Sequence, residues 1–180
     1  GHTGPVHAAV FSPDGRQLLT SSSDKSAILW DAATGTRLRT LEGHADKVLC
    51  VAFSPDGTQA LTGSDDKTAI QWNLASGERI AVLRGHEEWI SSVAYRPNHQ
   101  QVVTGDWGNT VMLWDIATGR RIRTFNQHKV DLKSPGNSLA WLTHFAYDLR
   151  MGHVTFSPDG SQLLAGAADG TVISWDPDTG

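Results

Sequence analysis

The chain lacks the features that stabilise small secreted proteins or anchor proteins in membranes. Its 180 residues include one cysteine, Cys50, which excludes an internal disulfide framework. Cys50 lies in the apolar run Val48–Phe53, so we expect it to be a buried core residue. No apolar stretch is long enough to cross a membrane, and no signal-peptide pattern opens the chain. We therefore expect no membrane partner.

Excess positive charge and metal-binding patterns are missing as well. The net charge of −4 and the pI of about 6.0 argue against a general binder of polyanions. The histidines have no cysteine partners and form no pair at helical ligand spacing. The chain has neither an Asp-rich calcium loop nor a glycine-rich phosphate loop. The sequence thus predicts no bound metal and no cofactor.

What the chain does have is a regular repeat. The pair Gly-His begins at residues 1, 43 and 85, and Gln127-His128 continues the series. Trp followed by Asp or Asn stands at 30, 72, 114 and 175. Half of the positions in 1–42 are identical in 43–84. The block Phe-Ser-Pro-Asp-Gly begins at Phe11 and Phe53, and again at Phe156, which is 19 residues late. These intervals predict repeats 1–42, 43–84, 85–126 and 127–180, with an insertion within about 129–151.

Each unit follows a period of two residues, which is typical of β-strands. In the second unit, Val48–Phe53 reads as a buried strand, and Ser54-Pro-Asp-Gly57 has Pro and Gly where a tight turn uses them. Strands at 59–63, 68–72 and 79–83 follow, with turn residues between them. Four short antiparallel strands in unit after unit indicate the blades of a β-propeller.

The Gly-His opening, the Trp-Asp ending and their period resemble the WD-repeat (WD40-type) β-propeller family. The closely similar repeats with Ser-Pro-Asp-Gly turns look like bacterial examples of that family. The resemblance covers the chain except for the insertion. It implies an all-β fold, a β-propeller segment of four blades, each built as a four-stranded antiparallel sheet.

Unit four has only three predicted strands, and none remains to complete it. We therefore expect an open arc of a larger propeller, completed by further repeats or by a second copy of the chain. Because the chain opens on the repeat motif and not on a Met, we expect it to be a fragment. We expect a cytoplasmic location.

The resemblance further implies a buried hydrogen-bonded set of His, Thr, Asp and Trp in each blade. Hydroxyl, imidazole and carboxylate also make up a hydrolase triad. A set that recurs in each unit and ends on Trp is better interpreted as a structural clasp than as a catalytic site. The two complete sets are His2, Thr20, Asp24 and Trp30, and His44, Thr62, Asp66 and Trp72.

Units three and four depart from this set. Gly108 replaces the Asp in unit three, Ala165 replaces the Thr in unit four, and His128 precedes the insertion. We expect these two blades to be less well clasped. The members that remain are His86, Thr104 and Trp114 in unit three, and Asp169 and Trp175 in unit four.

Two tryptophans outside the repeat pattern are candidates for partner binding. Trp89 takes the place of Lys47, and Trp107 takes the place of Asp65, beside the rim that the resemblance assigns to partner docking. Large exposed aromatic side chains are typical interface hot spots. The alternative is that both fill space left by Gly108. Lys47 and Asp65 are also candidates for partner contact, because they occupy the equivalent rim positions in unit two.

The insertion adds Trp141 to these candidates. Asn137-Ser138 could begin a short helix, or Ser134-Pro-Gly-Asn137 could form the tip of a long hairpin. Either form presents an apolar loop that needs to be covered by the propeller or by a partner.

Arginines gather on the predicted fourth strands, the outer edge of each blade. Charges at a sheet edge discourage edge-to-edge aggregation. The alternative is a weakly basic rim that contacts nucleic acid, which the acidic total disfavours. The residues concerned are Arg37, Arg39, Arg79, Arg120, Arg121 and Arg123.

The sequence therefore predicts a non-enzymatic scaffold that binds a peptide or protein partner on the top face of the propeller. One alternative is a regulatory or sensor module of a larger signalling protein, fused to a kinase or a nucleotide-hydrolysing domain. Another is an enzyme with a site in the central channel, for which only His7 and Glu87-Glu88 stand out.

Overall fold

Every regular element that the structure describes is a β-strand. The computed structural model describes residues 1–97, 100–125, 153–166 and 171–180. Its strands form three four-stranded sheets and one three-stranded sheet, and within each sheet consecutive strands are neighbours and antiparallel. The all-β class predicted from the period of two is confirmed.

The strands are numbered in chain order, and each sheet corresponds to one repeat. The first sheet contains β1 (Val6–Phe11), β2 (Gln17–Ser22), β3 (Ser26–Asp31) and β4 (Arg37–Glu42). The second contains β5 (Val48–Phe53), β6 (Gln59–Ser64), β7 (Thr68–Asn73) and β8 (Arg79–Arg84). The third contains β9 (Ile90–Tyr95), β10 (Gln101–Asp106), β11 (Val111–Asp115) and β12 (Arg121–Phe125). The fourth contains β13 (Val154–Phe156), β14 (Leu163–Gly166) and β15 (Val172–Trp175).

Antiparallel order gives each sheet two distinct ends. The Gly-His loops and the turns between the second and third strands lie at one end, which we call the upper end. The Ser-Pro-Asp-Gly turns lie at the lower end. There, Ser54 Oγ donates to Asp56 Oδ1 at 2.6 Å and accepts from the Gln59 amide at 2.9 Å. Gly57 adopts φ of 71°, which a side chain would disfavour, so the turn requires glycine.

The hydrophobic core lies between the sheets and is divided into three clusters. Alternation along each strand sends one set of side chains to the preceding sheet and the other set to the following sheet. Leu19, Leu29 and Leu41 of the first sheet meet Ile70 and Trp72 of the second. The junction between the second and third sheets contains Cys50, Leu61, Leu83, Val93, Met112 and Trp114. The junction between the third and fourth contains Val103, Leu113, Phe125, Phe156, Ile173 and Trp175.

Cys50 is a buried core residue, as predicted. Burial raises the pKa of its thiol to about 12, so the group remains protonated near neutral pH. Its Sγ lies 3.6 Å from the carbonyl oxygen of Ile90 in the next sheet.

The sheets stand side by side in chain order. β1 packs beside β5, β5 beside β9, and β9 beside β13. Within the described part of the chain, the four sheets form an open series and do not close into a full propeller.

The lower turn of the third repeat departs from the others. Arg96 stands where the other repeats have serine, and its guanidinium donates to the Gly160 carbonyl at 2.8 Å. It also binds both carboxylate oxygens of Asp178, at 2.7 and 2.9 Å. The hydrogen bonds that Arg96 donates to Asp178 raise the pKa of its guanidinium. This turn therefore joins the third sheet to the fourth through a charged contact that serine, with its short neutral side chain, could not supply.

Candidate interaction surface

A hydrogen-bonded chain of side chains runs through the second sheet from its upper loop to β7. His44 Nδ1 lies 2.8 Å from Asp66 Oδ2, and His44 Nε2 lies 2.7 Å from Thr62 Oγ1. Trp72 Nε1 donates to Thr62 Oγ1 at 2.9 Å. An ionised carboxylate only accepts, so we assign Nδ1 of the imidazole as the donor to Asp66.

The first sheet repeats the same arrangement. His2 Nδ1 and Nε2 lie 2.8 Å from Asp24 Oδ2 and 2.8 Å from Thr20 Oγ1. Trp30 Nε1 donates to Thr20 Oγ1 at 2.8 Å. We call each such set of His, Thr, Asp and Trp a clasp, because it joins the upper loop to the inner strands of its sheet.

The aspartates of both clasps stay ionised despite partial burial. Burial raises the pKa of Asp66, but hydrogen bonds from His44, Thr68 and the Ala45 amide outweigh it and leave the pKa below its ordinary value. The pKa of Asp24 is lowered in the same way, with burial opposed by Ser26, the Thr3 amide and His2.

The geometry leaves the hydroxyl of the clasp without a nucleophile's role. Thr62 is fully buried, and its oxygen accepts the indole N–H of Trp72 and lies within hydrogen-bond distance of His44 Nε2 and the Ile70 carbonyl. A catalytic hydroxyl must reach a substrate carbonyl, which a buried and fully occupied group cannot do. The arrangement therefore suits a structural clasp and not a hydrolase triad.

The third sheet contains a complete clasp, and the expectation that unit three lacks its carboxylate is wrong. Asp106 supplies it from a position two residues before Gly108: Asp106 Oδ2 lies 2.6 Å from His86 Nδ1. His86 Nε2 lies 2.6 Å from Thr104 Oγ1, and Trp114 Nε1 donates to that oxygen at 2.7 Å. This clasp is the most deeply buried of the three, since the Asp106 side chain is only 1% exposed.

Gly108 is part of the reason that Asp106 can take this role. A Cβ at position 108 would lie 3.2 Å from Asp106 Oδ1 and 3.2 Å from Glu88 Cγ. The regular repeat places serine at the position of Asp106, as Ser64 shows, and aspartate at the position of Gly108. In unit three the carboxylate therefore stands two residues earlier, and the glycine at position 108 leaves room for the Asp106 side chain. The sequence signal was Asp106 itself, which stands two residues after Thr104 and not four.

The fourth unit is described only in part. Ala165 lies in the strand where the other units have threonine, and Trp175 packs against Phe125 at 5.4 Å between ring centroids. Asp169 and His128 lie outside the described residues, as do Trp141 and both predicted forms of the insertion.

Three equivalent pairs of residues lie at the upper end, each joined by one backbone hydrogen bond between the upper loop and the turn after the second strand. The Ser23 amide donates to the Pro5 carbonyl at 2.9 Å. The Asp65 amide donates to the Lys47 carbonyl and the Trp107 amide donates to the Trp89 carbonyl, both at 3.0 Å. The backbone is thus the same in the three sheets, while the side chains differ. We call these positions the rim pairs.

The rim pair of the second sheet is charged, and that of the third is aromatic. Lys47 Nζ lies 3.4 Å from Asp65 Oδ2. The rings of Trp89 and Trp107 pack at 5.3 Å between centroids with 57° between their planes, and the two residues are 41% and 43% exposed. The atoms nearest to the Cβ position of Gly108 belong to Asp106 and Glu88, not to either indole. The structure thus brings the two tryptophans together as one partly exposed aromatic patch.

Lysines hold the rim together between sheets. Lys25 Nζ donates to the Ala45 carbonyl at 2.8 Å, and Lys67 Nζ donates to the Glu87 carbonyl. Each reaches from the turn of one sheet to the Gly-His loop of the next. The loops that carry Trp89 and its neighbours are therefore fixed in position, which favours a preformed surface.

The fourth-strand arginines lie at sheet edges, as the sequence pattern predicted. β4, β8 and β12 are the outermost strands of their sheets. Arg39 donates to the carbonyls of Leu74 and Ala75, and Arg123 donates to that of Asp178, in each case at the lower end of the next sheet. These two arginines therefore also join neighbouring sheets.

The chain belongs to the WD domain, G-beta repeat family. The family profile matches residues 1–31, 35–73, 77–115 and 119–176, which together make up most of the chain. The resemblance inferred from the Gly-His and Trp-Asp spacing is thereby confirmed.

Curated relatives match over single repeats. Protein Mut11 of Chlamydomonas reinhardtii is 55% identical over 40 residues, covering 22% of this chain and 11% of the relative. COMPASS component SWD3 of Saccharomyces cerevisiae is 39% identical over 46 residues, covering 26% and 15%. The probable serine/threonine-protein kinase PkwA of Thermomonospora curvata is 51% identical over 39 residues, covering 22% and 5%.

These matches span less than a sixth of each of these relatives. They include algal, yeast and bacterial proteins, so the similarity does not single out bacterial repeats. WD-repeat domains generally do not catalyse reactions, although the name of PkwA describes a kinase.

Two further properties of the described residues bear on function. No helix long and apolar enough to cross a membrane occurs in residues 1–97, 100–125, 153–166 and 171–180. In the same ranges, no group of three or more His, Cys, Asp or Glu side chains is placed to hold a metal ion.

Proposed function

We propose that this chain is a protein-interaction module that binds a peptide or protein partner at the upper end of its sheets. The supporting observation is the Trp89–Trp107 patch, which is aromatic and half-exposed at a position that the other sheets fill with charged or small residues. Such side chains contribute large contact area at low entropic cost. COMPASS component SWD3 is by its name part of an assembly, which agrees with a scaffold role.

The patch has charged neighbours that would orient a partner. Lys47 and Asp65 form the adjacent rim pair, and the side chain of Glu88 lies beside Gly108. An apolar centre with charged groups at its border is the usual composition of a binding hot spot. We expect the partner to insert an apolar side chain at the tryptophans and to pair a charged group with Lys47 or Asp65.

A peptide display selection tests this proposal and does not require an identified partner. The chain is immobilised, and selected peptides are then measured against the Trp89→Ala and Trp107→Ala variants. We expect at least about tenfold weaker binding to either variant, since hot-spot residues typically contribute about 2 kcal/mol or more. Ile122→Ala is the matched control, because Ile122 is 46% exposed but lies on the outer strand of the same sheet. Peptides that bind all three variants as tightly as the wild type would overturn the proposal.

A second candidate, a regulatory module of a larger signalling protein, is favoured by the match to PkwA. That protein is named a probable kinase, and this chain matches 5% of its length. The same rim would then contact another domain of the parent protein. The full reading frame distinguishes the two candidates, since only the second requires a kinase or nucleotide-hydrolysing domain on the same chain.

The outward face of the first sheet supports association with another blade. Phe11 is 66% exposed, whereas its equivalents Phe53, Tyr95 and Phe156 pack against the preceding sheet. We propose that a blade from further repeats or from a second copy covers this face. Light scattering of the 180-residue chain across a range of concentrations tests coverage by a second copy, and a stable monomer at all concentrations would contradict that form of the proposal.

A further inference from the structure

A groove at the lower end, between the second and third sheets, is lined by two residues whose buried polar atoms are unpaired within the described part of the chain. It has a volume of about 470 Å³ and is bordered by the lower turn of the second sheet and the turn after β11. Gln71 Oε1 and Tyr95 Oη are both buried there and have no hydrogen-bond partner among the described residues. Gln71 is only 2% exposed, and its Nε2 donates to Gln59 Oε1 at 2.7 Å. Buried polar atoms normally have a hydrogen-bond partner, so each of these two atoms requires an explanation.

Both residues are departures from the repeat at this one junction. The positions equivalent to Gln71 and Tyr95 are Leu29 and Phe53 between the first and second sheets. They are Leu113 and Phe156 between the third and fourth sheets. Leucine and phenylalanine fill those two junctions without polar atoms. Packing therefore does not require the amide or the phenol, and each costs stability while it stays unpaired.

The remaining lining indicates the chemistry of a ligand. Pro55, Ile80 and Ile116 provide apolar walls, and Asp56 provides a carboxylate, while no lysine, arginine or histidine of the described ranges lines the groove. Burial raises the pKa of Tyr95, and the negative charge of Asp56 raises it further, so the phenol stays neutral. The groove thus offers acceptor oxygens and one negative charge above an apolar floor.

We propose that this groove binds the side chain of an arginine in an extended segment of a partner protein. The aliphatic stem packs on Pro55, Ile80 and Ile116, and the guanidinium donates to Gln71 Oε1, Tyr95 Oη and the carboxylate of Asp56. Arginine fits because its flat head carries five donors and its stem is apolar. The volume far exceeds the roughly 30 Å³ that one water occupies. This site is separate from the rim pairs, which lie at the opposite end of the sheets.

The test uses N-acetyl-arginine methylamide as the probe and amide NMR spectra of the isotope-labelled chain. We expect saturable shifts, in the millimolar range, confined to residues that line the groove. The norleucine analogue of the probe keeps the stem and lacks the donors, and we expect it to bind at least about tenfold more weakly. Equal shifts from both probes would overturn the assignment to arginine, and shifts located at the upper end would overturn the site.

The repeat itself supplies matched variants. Gln71→Leu and Tyr95→Phe copy the residues of the neighbouring junctions, so we expect both variants to fold with melting temperatures above that of the wild type. Each should weaken arginine binding at least about tenfold, while Phe53→Tyr, at the equivalent position of the first junction, should leave it unchanged. Unchanged affinity in the Gln71→Leu/Tyr95→Phe double variant, or no saturable shift in the wild type, would overturn the proposal.

Discussion

The second and third sheets have the same clasp and the same loop backbone but very different rims. Inside, His44–Asp66 and His86–Asp106 are bonded alike although the two aspartates occupy different positions in their repeats. At the surface, the charged Lys47–Asp65 pair corresponds to the aromatic Trp89–Trp107 pair. The buried interaction is the same in both sheets although its carboxylate comes from different positions, whereas the exposed pairs differ in chemistry. This difference separates what the fold requires from what function can select.

The largest effects should come from removing the clasp carboxylates. Asp66→Ala and Asp106→Ala leave a buried imidazole N–H without an acceptor, so each should lower the free energy of unfolding by about 1–3 kcal/mol. Asp106→Ala should cost more, because its side chain is 1% exposed and that of Asp66 is 11% exposed. Urea denaturation measures both. Glu78→Ala, at an exposed position, is the control, and equal stabilities for all three variants would refute the clasp.

The shifted carboxylate can be tested by moving it back. Gly108→Asp alone crowds Asp106 with a second carboxylate, and Asp106→Ser alone removes the acceptor of His86, so each should destabilise by about 1–3 kcal/mol. The double variant restores the order found in Ser64 and Asp66 of the second sheet. We expect it to recover most of the loss in a double-mutant cycle. Additive losses would mean that the two sheets do not share an interchangeable clasp.

Acid should weaken the clasps through the same carboxylates. Because hydrogen bonds hold the pKa values of Asp66 and Asp106 below their ordinary value, folding favours the ionised forms. Their contribution is complete above the unfolded-state pKa of about 3.9 and is lost as the pH falls through the lower native pKa. Stability measured by urea denaturation should therefore fall below about pH 4, and less steeply in Asp66→Ala than in the wild type. Parallel curves would show that Asp66 does not contribute.

The aromatic rim pair should matter much less for stability than the clasps do. Trp89→Ala or Trp107→Ala removes a tilted ring contact, which typically contributes about 0.5–1.5 kcal/mol beyond the apolar area that the ring buries. Thermal unfolding measures this, and a much larger loss for Trp107→Ala would identify it as a packing residue instead of a contact residue.

The charged rim pair should give the smallest effect. Lys47→Ala removes an ion pair whose lysine side chain is 50% exposed, so the free energy of unfolding should change by less than about 1 kcal/mol. Denaturation at low and high salt checks this, since only a genuine ionic contribution decreases with added salt.

Much of the fold could be predicted because its determinants are local and repeated. The strands around Ser54-Pro-Asp-Gly57 follow from the alternation of apolar residues and from turn chemistry. A single Gly-His or Trp-Asp pair indicates little, but their repetition at a fixed spacing identifies the family specifically. The third clasp could not be predicted by alignment alone, because Asp106 is displaced by two residues and Gly108 occupies the regular position. Only the distance from Asp106 to His86 shows that Asp106 supplies the carboxylate that the regular repeat has at the position of Gly108.

The amino-acid sequence by itself determined the strand pattern and the spacing of histidine, threonine and tryptophan in units one to three. These depend on spacing along the chain, which tertiary contacts do not alter. The tertiary structure decided which side chains meet across sheets and which polar atoms remain unpaired. Gln71 and Tyr95 are 24 positions apart in sequence, yet they line one groove, because alternation sends one residue forwards and the other backwards into the same junction.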